Sequence, residues 1–155
     1  MDESRVAGQT QTTPSVDAKK ILLVEDDDNL TSVYLSRLDV EGFIVRRVPD
    51  GEQALAAAVE FRPDLVLLDV MMPDLSGFDV LNILRNTPET TAAKIVILTA
   101  RGQDSDKQRA EKLGADDYLI KSQVVIADVI GRIKYHLGLG QTPQQKSAGQ
   151  ESSTS

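Results

Sequence analysis

Hydrophobic residues in this chain fall into short unbroken runs, each followed by a stretch with helical spacing. Ile21-Leu22-Leu23-Val24, Leu65-Val66-Leu67-Leu68 and Ile95-Val96-Ile97-Leu98 show no polar alternation, which predicts strands covered on both faces. Two less uniform runs, residues 43–48 and 117–121, complete a set of five. Between the first two strands Leu30, Val33, Tyr34 and Leu38 recur at helical spacing, with Asp27, Asp28 or Asn29 available as cap and Gly42 as the stop. Asp50-Gly51 form a turn before a second helix over residues 52–61, with Ala54, Ala57, Ala58 and Phe61 on one face; Arg62-Pro63 ends it. Phe78, Val80, Leu81 and Leu84 mark a third helix, closed by Thr87-Pro88. A fourth, residues 105–113, is mostly charged, with Ala110 and Leu113 as its clear core contacts, and is expected to be among the least stable parts of the fold. The fifth carries Ile126, Val129, Ile130, Ile133 and Leu137 before Gly138.

Strands that alternate with helices imply right-handed crossovers and a parallel sheet covered on both faces. The expected fold is α/β, a doubly wound, flavodoxin-like five-stranded parallel sheet of order 2-1-3-4-5. That order leaves strand two at an edge, where Arg46-Arg47 blunt it against further pairing. It also puts the topological switch point between strands one and three, so that Asp26 and Asp69 meet there.

Composition narrows the functional classes. The 155 residues suffice for one domain, and 41% hydrophobic with 26% charged residues is ordinary for a globular chain. A net charge of −7 disfavours direct binding to nucleic acid, which needs clustered Lys and Arg, and suits a cation or a basic partner. The absence of cysteine rules out a disulfide framework or a thiolate metal site. No run approaches the ~18 apolar residues of a membrane span, and the start lacks a signal peptide's apolar segment, so the expectation is a cytoplasmic protein without membrane insertion. Residues 1–18 and 139–155 are rich in Gln, Ser and Thr and read as disordered tails around a folded domain at 19–138.

The strand ends carry the chemistry. Glu25 and Asp26 follow strand one and Asp69 follows strand three. Carboxylates gathered within about 5 Å repel by roughly 3 kcal/mol per pair at an effective dielectric near 20, so the cluster holds either a proton or a cation. Mg²⁺ prefers oxygen ligands and is often bound by one or two carboxylates plus a phosphate oxygen, which fits an open acidic bowl. Asp69 is then the nucleophile that receives a phosphoryl group, with the Thr99 hydroxyl from strand four and the Lys121 ammonium from strand five as donors to its oxygens.

Four segments together resemble the receiver domain of two-component response regulators: Ile21-Leu22-Leu23-Val24-Glu25-Asp26-Asp27; Leu67-Leu68-Asp69-Val70-Met71-Met72-Pro73 with Gly77; Ile97-Leu98-Thr99-Ala100; and Gly114-Ala115-Asp116-Asp117-Tyr118-Leu119-Ile120-Lys121. The resemblance covers residues 20–138. It implies a stand-alone, chemotaxis-regulator-like phosphoacceptor that supports only its own phosphorylation and slow autodephosphorylation. Its phosphodonor would be a sensor histidine kinase or a histidine phosphotransfer protein, and its output a downstream effector protein. It further implies Mg²⁺ held by Asp26, Asp69 and the Met71 carbonyl, with Glu25 acting directly or through water. Movement of Thr99 and an inward turn of Tyr118 would remodel the face made by helix four, strand five and helix five. Ala100 would leave the phosphoryl site accessible, with Met71 and Arg101 flanking it.

Two positions depart from the family pattern. Ser122 stands after Lys121 where proline with a cis peptide is usual, so the loop either tolerates a cis bond or takes a trans path. Glu25 replaces the commoner Asp, adding one methylene. His136, the one histidine, is expected to be solvated or to cap the end of helix five. The rival readings are a haloacid dehalogenase-type phosphatase or phosphotransferase, which needs a second Asp where Met71 stands, and a receiver acting as an unphosphorylated scaffold. A flavodoxin-type cofactor module would need a loop after strand one that welcomes phosphate, and here that loop is acidic.

Overall fold

The computed structural model describes residues 18–140, so the two predicted tails lie almost entirely outside the described residues. The blind runs form the sheet: β1 (Lys20–Val24), β2 (Ile44–Val48), β3 (Leu65–Leu68), β4 (Lys94–Thr99) and β5 (Asp117–Ile120). All pairings are parallel, in the order β2-β1-β3-β4-β5. The helices are α1 (Asp28–Val40), α2 (Gly51–Phe61), α3 (Gly77–Arg85), α4 (Asp104–Lys112) and α5 (Ile126–His136), with a 3₁₀ turn at Lys121–Gln123. The predicted fold class and strand order are those observed, with element boundaries one or two residues apart in several places.

The twofold period of the strands sorts the core into two layers. Leu22, Val24, Val66, Leu68, Ile95 and Ile97 face α2, α3 and α4, packing on Ala54, Ala58, Phe78, Leu81 and Ala110. Ile21, Leu23, Leu65, Leu67, Val96 and Leu98 face α1 and α5, packing on Tyr34, Leu38, Val129, Ile130 and Ile133. Each such side chain fully buried contributes about 1.5–3 kcal/mol, so the three central strands dominate the stability.

Several local expectations change. Val33 is 53% exposed, and Thr31, Tyr34 and Leu38 form the buried stripe of α1, because Val33 sits one 100° step away from Tyr34 around the helix. Gly51 starts α2 instead of turning before it, because the Asp50 carboxylate caps the helix by accepting from the Gln53 amide at 2.9 Å. Lys121 lies outside β5, in the 3₁₀ turn, and the peptide bond before Ser122 is trans. His136 is not solvated: its Nε2 lies 2.8 Å from Asp117 Oδ2, beside the bidentate Arg132–Asp117 pair.

Helix α4 has the sparse apolar footing predicted for it, with Ala110 fully buried and Leu113 partly so. Polar contacts supplement it. Asp106 is buried under the Arg101 guanidinium, with Nε 2.8 Å from Oδ2, and Arg109 stacks 4.2 Å above the Phe78 ring. At the opposite end of the sheet, Arg85 donates to the carbonyls of Gly114, Thr91 and Ala93 and to the Asp116 carboxylate, over distances of 2.5–3.0 Å. It ties α3 to the turns that enter β4 and β5.

The loop between β3 and α3 is closed at both ends. The Gly77 amide donates to the Val70 carbonyl, and a Cβ on Gly77 would fall on the Val70 Cα and 2.5 Å from the Asp69 carbonyl oxygen. The Asp74 carboxylate accepts from the amides of Gly51 and Glu52, fastening the same loop to the N-terminus of α2. Because the close neighbours of Gly77 are backbone atoms that cannot rotate away, Gly77→Ala is expected to cost about 3 kcal/mol. Urea unfolding is the check; an unchanged midpoint would show that the loop yields freely.

Candidate functional site

Side-chain alternation continues past the strand ends and decides which residues meet. Glu25, Asp69 and Lys121 each lie two residues after an apolar residue of the α1/α5 layer, Leu23, Leu67 and Leu119, and all three converge on that side of the sheet edge. Thr99 follows Ile97 on the other layer, beside Tyr118, which pairs with Ile97 across β4 and β5.

Oxygens of Glu25, Asp26 and Asp69 lie within 4.8 Å of one another. Glu25 and Asp69 are buried, at 2% and 5% exposure, and Asp26 is open to solvent. Lys121 joins them: its Nζ is 2.9 Å from Glu25 Oε1 and 2.8 Å from Asp69 Oδ2. The second Glu25 oxygen accepts from the Asp27 amide at 3.1 Å, so the longer side chain folds back over its own backbone. Asp69 Oδ1 accepts from the Met71 amide at 2.8 Å, which turns the chain into the loop beyond. A cavity of about 620 Å³ opens here, lined by Asp26, Met71, Pro73, Asp74 and Arg101.

Burial pushes the Glu25 carboxyl above its ordinary 4.5, against the Lys121 ammonium and the Asp27 amide, which pull it down. Burial also works against the charge on Lys121, but its hydrogen bonds to Asp69 and Glu25 outweigh that, and its pKa is raised. Three carboxylates therefore face one ammonium. The donor set is hard oxygen with one open side, which fits a divalent cation of the Mg²⁺ class and excludes a soft metal.

Thr99 is fully buried at the end of β4, and its Oγ1 accepts from the Arg101 amide at 3.3 Å. Tyr118 is already directed inward, its hydroxyl donating to the Arg101 carbonyl at 2.8 Å. Arg101 thus touches Thr99, Tyr118 and, through Asp106, the first turn of α4. Met71 contributes a half-exposed side chain at the cavity rim. Of the predicted site residues, Glu25, Asp26, Asp69 and Lys121 are brought together, Met71 lines the cavity beside them, and Thr99 and Tyr118 meet at Arg101. Sequence reasoning missed the partner of Arg101, the Asp74 clamp, and Arg47, whose guanidinium reaches the loop after β1; the last is explained by its register opposite Leu23, which only the folded sheet reveals.

A model of the response regulator receiver domain matches residues 21–130. The chain belongs to that family. The transcriptional regulatory protein CpxR of Klebsiella pneumoniae is 52% identical over 102 residues, 66% of this chain and 42% of CpxR. The phosphate regulon regulator PhoB of Rhizobium meliloti is 41% identical over 102 residues, 66% of this chain and 45% of PhoB. The chain therefore spans less than half the length of these curated relatives. Among solved structures, the BeF3-activated receiver domain of Klebsiella pneumoniae RstA aligns with a TM-score of 0.71 at 31% identity, covering 76% of this chain and 97% of that one. The receiver domain of the Pseudomonas aeruginosa sensor histidine kinase PA1611, which holds a magnesium ion in its active site cleft, aligns with a TM-score of 0.71 at 30% identity, covering 78% and 98%. No helix among the described residues is long and apolar enough to cross a membrane.

The raised pKa of Glu25 has a sign that can be measured. A carboxyl whose folded pKa exceeds its unfolded value adds stability below about pH 4.5, and this is lost as pH rises through the folded value. In EDTA, Glu25→Gln should therefore gain stability relative to wild type as pH rises from about 4.5, as read by thermal unfolding across a pH series. A difference that stays flat with pH would show that the Glu25 carboxylate is not strained by its burial.

Proposed function

We propose that this receiver domain, residues 19–138, is a phosphoacceptor switch in which Asp69 takes a phosphoryl group from a histidine of a partner protein. The observation that carries this reading is the convergence of Asp69 with Glu25, Asp26 and Lys121 at the switch point of a receiver fold. A carboxylate oxygen of Asp69 attacks phosphorus as the P–N bond to the donor imidazole breaks. The bonding pair returns to the ring nitrogen, which then takes up a proton, and Asp69 becomes an acyl phosphate. Glu25, Asp26, Asp69 and the Met71 carbonyl would hold Mg²⁺. When bound, the ion supplies the positive charge that lets an anionic phosphoryl group approach three carboxylates.

The residues of the chain divide the remaining work. Lys121 gives up its contact with Asp69 Oδ2 and pairs instead with a phosphoryl oxygen, so one charge serves both states. The Thr99 hydroxyl turns from accepting the Arg101 amide to donating to phosphoryl oxygen. Because Arg101 also holds Tyr118 and Asp106, that exchange reaches α4, whose thin apolar footing makes its alternative placements close in energy. The surface of α4, β5 and α5 is the output face, read by an effector protein in the cytoplasm without direct contact of this domain with nucleic acid. A sensor histidine kinase or a phosphotransfer protein supplies the phosphoryl group. The domain catalyses only its own phosphorylation and slow hydrolysis.

Incubation with Mg²⁺ and acetyl phosphate, followed by intact mass measurement, tests the acceptor. Wild type should gain one labile phosphoryl group and Asp69→Asn none. Equal labelling of the two proteins would move the acceptor to another residue.

A further inference from the structure

Arg46 and Arg47 share the edge strand β2 but do different things. Arg46 reaches Glu60 on α2, an exposed pair of the kind that blunts an edge. Arg47 pairs in register with Leu23, so its side chain lies on the α1 side of the sheet. From there it runs to the loop after β1 and puts both Nε and Nη2 on the Glu25 carbonyl oxygen, at 3.0 and 2.7 Å. The same Nη2 touches the exposed Asp28 carboxylate at 3.0 Å. On its other side, the Glu25 amide donates to the Val48 carbonyl at 3.1 Å. Strand β2 therefore grips the Glu25 residue from both ends, through one backbone bond and one guanidinium fork.

A cation beside the N-terminus of α1 opposes the helix dipole, and the exposed Asp28 pair offsets little of that. The two charge-assisted bonds to one carbonyl give the better account of why the side chain lies there. That carbonyl belongs to the peptide linking Glu25 to Asp26, so its orientation sets the directions in which two of the three clustered carboxylates leave the backbone. With Glu25 longer than an aspartate, its carboxylate depends on this peptide being fixed in order to fold back toward the Asp27 amide and Lys121.

We propose that Arg47 is a positioning residue for the acidic cluster, holding the Glu25-Asp26 peptide so that both carboxylates meet Asp69 around one divalent cation. The proposal rests on the cation site of the proposed function and adds to it a residue that touches neither the ion nor the phosphoryl group.

Charge and geometry predict opposite outcomes, which makes the test sharp. If Arg47 acted only as a nearby positive charge, Arg47→Met would strengthen cation binding. If it positions the loop, Arg47→Met and Arg47→Lys both weaken binding, since lysine keeps the charge but lacks the fork. Mn²⁺ is the probe, with free ion followed by electron paramagnetic resonance, and thermal unfolding in EDTA is measured on the same samples. The expected result is about a tenfold loss of Mn²⁺ affinity in both variants, the usual scale for a residue that orients a ligand from behind. Asp28→Asn should keep close to the wild-type affinity, and all four proteins should unfold cooperatively.

Unchanged or tighter binding in Arg47→Met overturns the proposal, as does an equal loss in Asp28→Asn, which would place the effect in the ion pair. If Arg47→Met does not fold, Arg47→Gln carries the same comparison; failure of both to fold would make Arg47 a structural residue and overturn the positioning role. Wild type that binds no Mn²⁺ would sink the cation site and this inference together. Wild type that binds while the Arg47 variants match it would sink this inference alone.

Discussion

Like charges forced together at the end of a hydrophobic sheet govern this molecule. Glu25 and Asp69 are carried there by β1 and β3, whose apolar residues hold them almost completely out of water, and Asp26 stands at the rim. Such an arrangement is unfavourable by itself, and Lys121 is the internal answer to it, bridging the two buried members. The raised pKa values of Glu25 and Lys121 are two consequences of one compromise: burial strains the acid, and two acids hold the proton on the base. A cluster left short of positive charge suits a cation, and a lysine already on Asp69 is placed to follow negative charge that develops there.

The rest of the architecture supplies that cluster with fixed walls and one yielding side. The loop beyond Asp69 is pinned by Gly77 against Val70 and by Asp74 against α2, and the loop beyond β1 is pinned by Arg47. By contrast, the loop beyond β4 is held through Arg101, whose partners are a hydroxyl, a phenol and a carboxylate. Hydrogen bonds of that sort exchange partners at little net cost, whereas the backbone contacts at Gly77 have nowhere to go. Rigid and adjustable loops thus sit side by side over the same carboxylates.

The fold was legible because its core residues are contiguous. Runs such as Leu65 to Leu68 announce a strand buried on both faces, and alternation along them sends Glu25, Asp69 and Lys121 to one layer and Thr99 and Tyr118 to the other. What sequence could not show depends on side chains that cross between elements. Arg47 looks like a solvated charge in one dimension, and His136 like a helix end; each acquires its partner only when β2 lies beside β1 or β5 lies under α5. Val33 was misread for a related reason. Its spacing fits a helical stripe, but Thr31 takes the buried place because the register of α1 on the sheet is set by Tyr34 and Leu38.

Arg85 bears on how α4 could travel. Its guanidinium grips Gly114 and Asp116, just beyond the C-terminal end of that helix, and the α3–β4 turn as well, all at the end of the sheet remote from the carboxylates. Gly114, at φ +105°, leaves no room there for a Cβ beside the arginine stem. One end of α4 is therefore bolted and the other is tethered through Arg101. Any shift of a helix mounted in that way would be a rotation about its bolted end, largest near Thr99 and fading toward Gly114, as along the arm of a lever.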